Sequence, residues 1–156
     1  MDQTAAAEQL ATRAHAAQTD KAGLPYLDHP RRVAALVAES TDDQEAIAAA
    51  WLHDVVEDTP VTLDRLRELG FSTAVVDAVD ALTRRPGEGD RYYQRVAANA
   101  LARAIKLADL WDNTHPDRTS LLNATDAARL RRKYEHAAQL LTAAEGPEGS
   151  RSTIPR

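Results

Sequence analysis

Apolar residues recur at helical spacing along most of the chain, and the charged positions gather where that spacing breaks. Leu10, Ala14 and Ala17 share one face of a helix predicted over residues 4–18. His15 near its end reads as a packed or capping histidine. The Gly- and Pro-bearing run Thr19-Asp20-Lys21-Ala22-Gly23-Leu24-Pro25-Tyr26-Leu27-Asp28-His29-Pro30 is a loop. Pro30 suits the first position of the next helix, predicted over residues 31–39. Asp42 and Asp43 then offer an N-cap for a central helix that Pro60 stops.

Three shorter helices follow. Thr62 caps one over residues 63–69, which Gly70 ends. Ser72 caps a second over residues 73–83, with Val75, Val76, Val79 and Leu82 as its stripe. The third runs from Asp90 to Asn99, after the turn Arg84-Arg85-Pro86-Gly87-Glu88-Gly89. Another helix covers residues 100–113, and residues 114–123 read as loop. Thr125 caps a last long helix over residues 126–144, whose core face is Leu130, Tyr134, Ala137, Ala138 and Leu141. His136 falls off that face and is expected to be exposed. Residues 145–156, rich in Gly, Pro, Ser and Arg, read as a disordered tail. No strand pattern and no internal repeat emerges, so the expected fold is all-α, one domain over residues 1–144.

The central helix sets a chemical problem. Ala46-Ile47-Ala48-Ala49-Ala50-Trp51-Leu52 is apolar nearly all round, which predicts burial. It runs directly into His53-Asp54-Val55-Val56-Glu57-Asp58. Buried charges are costly unless they are paired or bind a metal. Read as one helix, the chain places His53 and Glu57 on one face and Asp54 and Asp58 on another. That gives a metal pair, His53 and Asp54, with an acid/base pair, Glu57 and Asp58, one turn on. Residues 100–113 repeat the problem: Lys106, Asp109 and Asn113 share a face among Ile105, Leu107, Ala108 and Leu110.

Composition narrows the chemistry. The chain has 156 residues, no cysteine and 4% aromatics. Disulfides, thiolate metal sites and cysteine nucleophiles are therefore excluded. A metal would need His, Asp, Glu or water as ligands. The net charge of −5, with no long basic run, argues against nucleic acid as a partner. No segment approaches a membrane span and no signal-peptide pattern opens the chain, so a cytoplasmic location is expected. The alanine-rich faces leave room for a homodimer without demanding one.

Together, an imidazole before a proline, an adjacent His-Asp and a later helical Asp make a four-ligand set: His29, His53, Asp54 and Asp109. Mixed nitrogen and oxygen donors suit Mn²⁺, Fe²⁺ or Zn²⁺ better than Ca²⁺.

Three motifs in order carry a family resemblance: Gly23-x-Pro25-Tyr26-x-x-His29-Pro30, His53-Asp54-x-x-Glu57-Asp58-Thr59, and Lys106-Leu107-Ala108-Asp109-x-x-x-Asn113. The chain resembles the HD superfamily of metal-dependent phosphohydrolases, and within it the hydrolase domain of the Rel/SpoT alarmone enzymes and the stand-alone small alarmone hydrolases. The resemblance implies an HD-domain helical bundle and Mn²⁺. It implies Glu57 and Asp58 as the catalytic pair, and hydrolysis of the 3′-pyrophosphate of guanosine tetra- or pentaphosphate, a small-molecule nucleotide. Lys21, Arg84, Arg85 or Lys106 would offset phosphate charge. Asn113 would hold Asp109 or contact the sugar. Tyr26, Tyr92 or Tyr93 would stack on a base.

The stretch Thr19-Asp20 stands where such enzymes usually carry a basic residue. That keeps open a second substrate class: another nucleotide, a dinucleotide or a metabolite phosphate. A non-catalytic nucleotide-binding module would need a broken catalytic pair, and both acids are present.

Overall fold

The computed structural model describes residues 1–143, and the expected tail at 145–156 lies outside them. Ten helices follow in order. They are α1 (Gln3–Ala14), α2 (Asp28–Ser40), α3 (Gln44–Leu52), α4 (Val55–Asp58) and α5 (Leu63–Glu68). After them come α6 (Thr73–Leu82), α7 (Arg91–Ala97), α8 (Ala100–Thr114), α9 (Pro116–Thr119) and α10 (Ala124–Ala143). Among the described residues there is no strand, only an isolated bridge between Thr19 and Pro25. The all-α, single-domain expectation holds.

Helix α3 is the centre. Its Ala46, Ala48, Ala49, Ala50, Trp51 and Leu52 are all buried. Alanine favours the helix and lets neighbours approach closely. Four helices, α1, α2, α6 and α8, pack around it. Helix α8 is the second hub, touching α2, α3, α6, α7, α9 and α10. The core between them is built from Val33, Leu52, Val55, Val75, Val76, Val79, Val96 and Ile105. Each such side chain contributes roughly 1.5–3 kcal/mol by leaving water.

Local signals set the helix starts. The Asp43 carboxylate accepts from the Glu45 N–H, the Thr62 hydroxyl from Arg65, and the Ser72 hydroxyl from Val75. Gly70, at φ +89°, supplies the left-handed residue that closes α5.

Several boundaries differ from expectation. The predicted continuous central helix is broken: α3 stops at Leu52 and α4 starts at Val55. Asp54 sits at φ −110°, ψ 0°, outside the helical well. The His53 ring helps make this break, because Nδ1 lies 2.7 Å from the Ala50 carbonyl oxygen. Helix α2 begins at Asp28, ahead of Pro30, so His29 lies inside its first turn. Proline is tolerated there because first-turn N–H groups have no helical partner. Helix α1 ends at Ala14, with His15 as its C-cap. Helix α7 ends at Ala97, and Asn99 instead caps α8 by accepting from the Ala102 N–H. Residues 114–123 contain α9, begun by Pro116. The last helix starts at Ala124, and Asn123 rather than Thr125 accepts from the Asp126 N–H. No helix among the described residues is long and apolar enough to cross a membrane.

Candidate metal centre

Three elements bring four side chains together: the first turn of α2, the α3–α4 break, and the middle of α8. One ligand atom from each of His29, His53, Asp54 and Asp109 falls within 4.8 Å of the others. His29 Nε2 lies 2.7 Å from Asp109 Oδ1 and 4.0 Å from Asp54 Oδ2. His53 Nε2 lies 3.0 Å from Asp54 Oδ2 and 3.5 Å from Asp109 Oδ1. The break between α3 and α4 makes this possible. Neighbours in an unbroken helix point about 100° apart, whereas here His53 and Asp54 converge.

Each of the four is oriented by a further hydrogen bond. The far nitrogen of His29, Nδ1, is 2.8 Å from Asp112 Oδ2. That of His53 faces the Ala50 carbonyl. Both Nδ1 atoms therefore carry protons and aim Nε2 inward, the usual backing of metal-binding imidazoles. Asp109 accepts from Lys106 Nζ at 2.7 Å and from Asn113 Nδ2 at 3.0 Å. Asp54 accepts a short hydrogen bond from the Tyr26 hydroxyl. Asp112 is itself fixed by Arg32, at 2.9 Å, and Arg118, at 3.0 Å.

The electrostatics ask for a cation. His53 Nε2 is buried and makes no well-directed hydrogen bond, despite lying beside Asp54. Burial would lower both imidazoles, but the carboxylates outweigh it. His29 is raised by Asp109 and Asp112, and His53 well above its ordinary value by Asp54 and Asp109. Burial would raise Asp54 and Asp109. His53 holds Asp54 down instead, and Lys106 with the imidazoles holds Asp109 down. A divalent cation would offset the two carboxylate charges gathered here. Two nitrogens and two carboxylate oxygens at this spacing fit such an ion.

The expected acid/base pair lies next to the centre and is exposed. Glu57 Oε1 accepts from the Arg84 N–H at 2.7 Å. Asp58 Oδ2 accepts from Gln18 Nε2 at 3.4 Å. Partial desolvation and the nearby Asp54 charge raise the Asp58 carboxyl.

The expected substrate residues separate into two groups. Lys106 is buried against Asp109, and Asn113 also holds Asp109. Tyr26 is tied to Asp54, and burial with that charge raises its phenol, keeping it a donor. Tyr92 is 2% exposed and donates to the Leu82 carbonyl, so it cannot stack on a base. The Arg84 guanidinium lies 4.2 Å over the Tyr92 ring and donates to the Tyr93 hydroxyl. Arg85 pairs with Asp80 at 3.2 Å, and Lys21 is exposed in the 19–25 loop. In that loop the Asp20 carboxylate accepts from the Ala22 and Leu24 N–H groups, both at 2.9 Å. Gly23, at φ +81°, makes the turn.

Sequence reasoning passed over Asp112, Arg32, Arg118 and Gln18. The one signal for Asp112 was its place three residues after Asp109 on the same helix.

A family model described as HD domain matches residues 7–100. This chain belongs to the HD-domain family. The matched segment of this HD domain contains His29, His53 and Asp54, and Asp109 lies beyond its end. Guanosine-3′,5′-bis(diphosphate) 3′-pyrophosphohydrolase of Haemophilus influenzae is 38% identical over 118 residues, 70% of this chain and 17% of that protein. The bifunctional (p)ppGpp synthase/hydrolase SpoT of Escherichia coli K12 is 33% identical over 119 residues, with the same coverage. The HD domain thus spans about a sixth of the curated relatives it matches. A solved structure of a metazoan SpoT ortholog, described as hydrolysing ppGpp and acting in starvation responses, superposes with a TM-score of 0.74. It is 26% identical, and the match covers 92% of this chain and 85% of that one.

Proposed function

We propose that this HD domain is a phosphohydrolase that removes the 3′-pyrophosphate of guanosine 3′,5′-bis(diphosphate), with Mn²⁺ held by His29, His53, Asp54 and Asp109. The observation that carries the reading is the convergence of those four ligand atoms within 4.8 Å, each residue oriented by a further hydrogen bond. The relatives named for ppGpp hydrolysis support the substrate.

When bound, the divalent cation supplies Lewis acidity, lowering the pKa of water and offsetting charge on phosphoryl oxygen. The chain does the rest. Asp58, raised by its surroundings, takes a proton from the attacking water or holds that water in line. Glu57, fixed by the Arg84 N–H, shares that role from the other side of α4. Lys106 keeps Asp109 ionised and aimed at the centre. Lys21 and Arg85, both exposed, would offset phosphate charge, Arg85 by leaving Asp80.

A second reading keeps the centre and takes another phosphorylated nucleotide. It rests on Asp20, an acid in the same loop as Lys21. The Asp20 carboxylate accepts from two backbone amides of its own loop, so it is held in the turn. Turnover of ppGpp by the Mn²⁺-loaded chain, beside NADPH and nucleoside mono- and triphosphates, tests both. Pyrophosphate released from ppGpp, and lost in Glu57→Ala, is the expected result. Release only from the other substrates favours the second reading, and no turnover at all overturns both.

A further inference from the structure

One buried imidazole has no part in the mechanism above. His15 is 1% exposed and caps α1 through its backbone. The ring does two things. It packs against Tyr26 with centroids 5.0 Å apart, and Tyr26 donates to the ligand Asp54. Its Nδ1 lies 2.7 Å from Gln18 Oε1, and Gln18 Nε2 donates to Asp58 at 3.4 Å. The polarity of this chain is forced. An ionised Asp58 only accepts, so the Gln18 amide turns its NH₂ toward Asp58 and its oxygen toward His15. His15 Nδ1 must then carry hydrogen, so in the neutral ring Nε2 is the lone pair. That Nε2 is buried and has no partner.

The cost of a buried polar atom without a protein partner, about 1–3 kcal/mol, points to a role for this ring beyond packing. The loop supports the same assignment. The Tyr26 N–H donates to the Gln18 carbonyl at 2.9 Å, and the Thr19–Pro25 bridge closes the turn between them. Gln18 and Tyr26 thus leave one rigid neck, with the His15 ring against both.

We propose that His15 is a positioning residue which sets two carboxylates at once: Asp58 through the Gln18 amide, and Asp54 through the face of Tyr26. The assignment of Asp58 as acid/base rests on the proposed hydrolase reading; the two hydrogen bonds do not.

Two variants of the full chain test it. His15→Phe keeps a ring against Tyr26 and removes the donor. Gln18→Met keeps length and removes the amide. Both are expected to retain one equivalent of Mn²⁺. His15→Phe should unfold at the wild-type temperature or above, because it removes the unsatisfied nitrogen. Turnover of ppGpp should fall roughly 10- to 100-fold in kcat, the scale seen when a supporting hydrogen bond is lost, with KM unchanged. In an Asp58→Asn background the same changes should cost nothing further. Wild-type kcat in both variants, or equal losses with and without Asp58, would overturn the proposal. A readout without turnover separates it from the hydrolase reading. In the metal-free chain, the Asp58 carboxyl carbon followed by NMR should titrate at higher pH in both variants, because Gln18→Met removes the amide and His15→Phe frees it to turn away from Asp58. An unmoved Asp58 titration would sink the relay even if ppGpp is hydrolysed.

Discussion

Two regions of the molecule are dense in charge, and they are built on opposite plans. One is the centre between α2, the α3–α4 break and α8. The other is the corner where α6 meets α7, with Asp80, Arg84, Arg85, Glu88 and Arg95. In the corner, groups satisfy one another. Arg95 bonds both oxygens of Glu88 and the carbonyls of Asp80, Ala81 and Thr83. Arg84 lies on Tyr92, and Arg85 meets Asp80. At the centre, potential ligand atoms from three elements face one another within 4.8 Å. His53 Nε2 has no directed partner, and His29 Nε2 is held against a carboxylate that would otherwise face a cation. Charge density alone marks neither region as functional. The distinguishing feature is four potential ligand atoms gathered within 4.8 Å, with His53 Nε2 left without a directed partner.

The sharpest way to break this contrast is to remove one member of the buried pair. Asp109→Ala leaves Lys106 buried and alone, and should destabilise the chain by about 3–5 kcal/mol. Adding Lys106→Met should restore most of that stability but no metal binding. Chemical unfolding of the single and double variants, with calorimetric Mn²⁺ titration of each, checks both halves.

The corner should respond more mildly. Arg95→Ala removes several hydrogen bonds to a charged donor and should cost roughly 1.5–3 kcal/mol. Cation stoichiometry should stay unchanged. A loss of metal binding in this variant would erase the distinction between the two regions.

The smallest effect is in the pH dependence of the corner. Arg95 holds the Glu88 carboxyl down to about 2, from an ordinary value of 4.5. A depressed acid stabilises the folded state above its unfolded pKa, and that contribution fades as pH falls from about 4.5 toward 2. Wild type and Glu88→Gln should therefore differ in unfolding midpoint at pH 6 and converge near pH 2. A difference that persists at pH 2 would mean the bond does not depend on ionisation.

The same contrast explains what was legible in the sequence. His29, His53, Asp54 and Asp109 stand out because polar residues inside apolar helices demand a reason, and local spacing is enough to see them. The helix caps at Asp43, Thr62 and Ser72 are local too. What escaped is what depends on a distant partner. The α3–α4 break follows from the His53 ring taking the Ala50 carbonyl, which no periodicity shows. Tyr26 read as a base-stacking ring until its hydroxyl met Asp54, 28 residues along the chain. Asp112 was passed over, although it orients His29 from 83 residues away. Helix α9 was missed because four residues carry too little pattern to separate from a loop.

The most direct test of the account is cation stoichiometry. Calorimetric titration of Mn²⁺ into wild type, His29→Ala and His53→Ala, with helicity followed in parallel, compares the open centre with the same fold lacking one inward nitrogen. The account predicts one equivalent for wild type and none for either variant at unchanged helicity. No binding by wild type, or one equivalent retained by both variants, would contradict it.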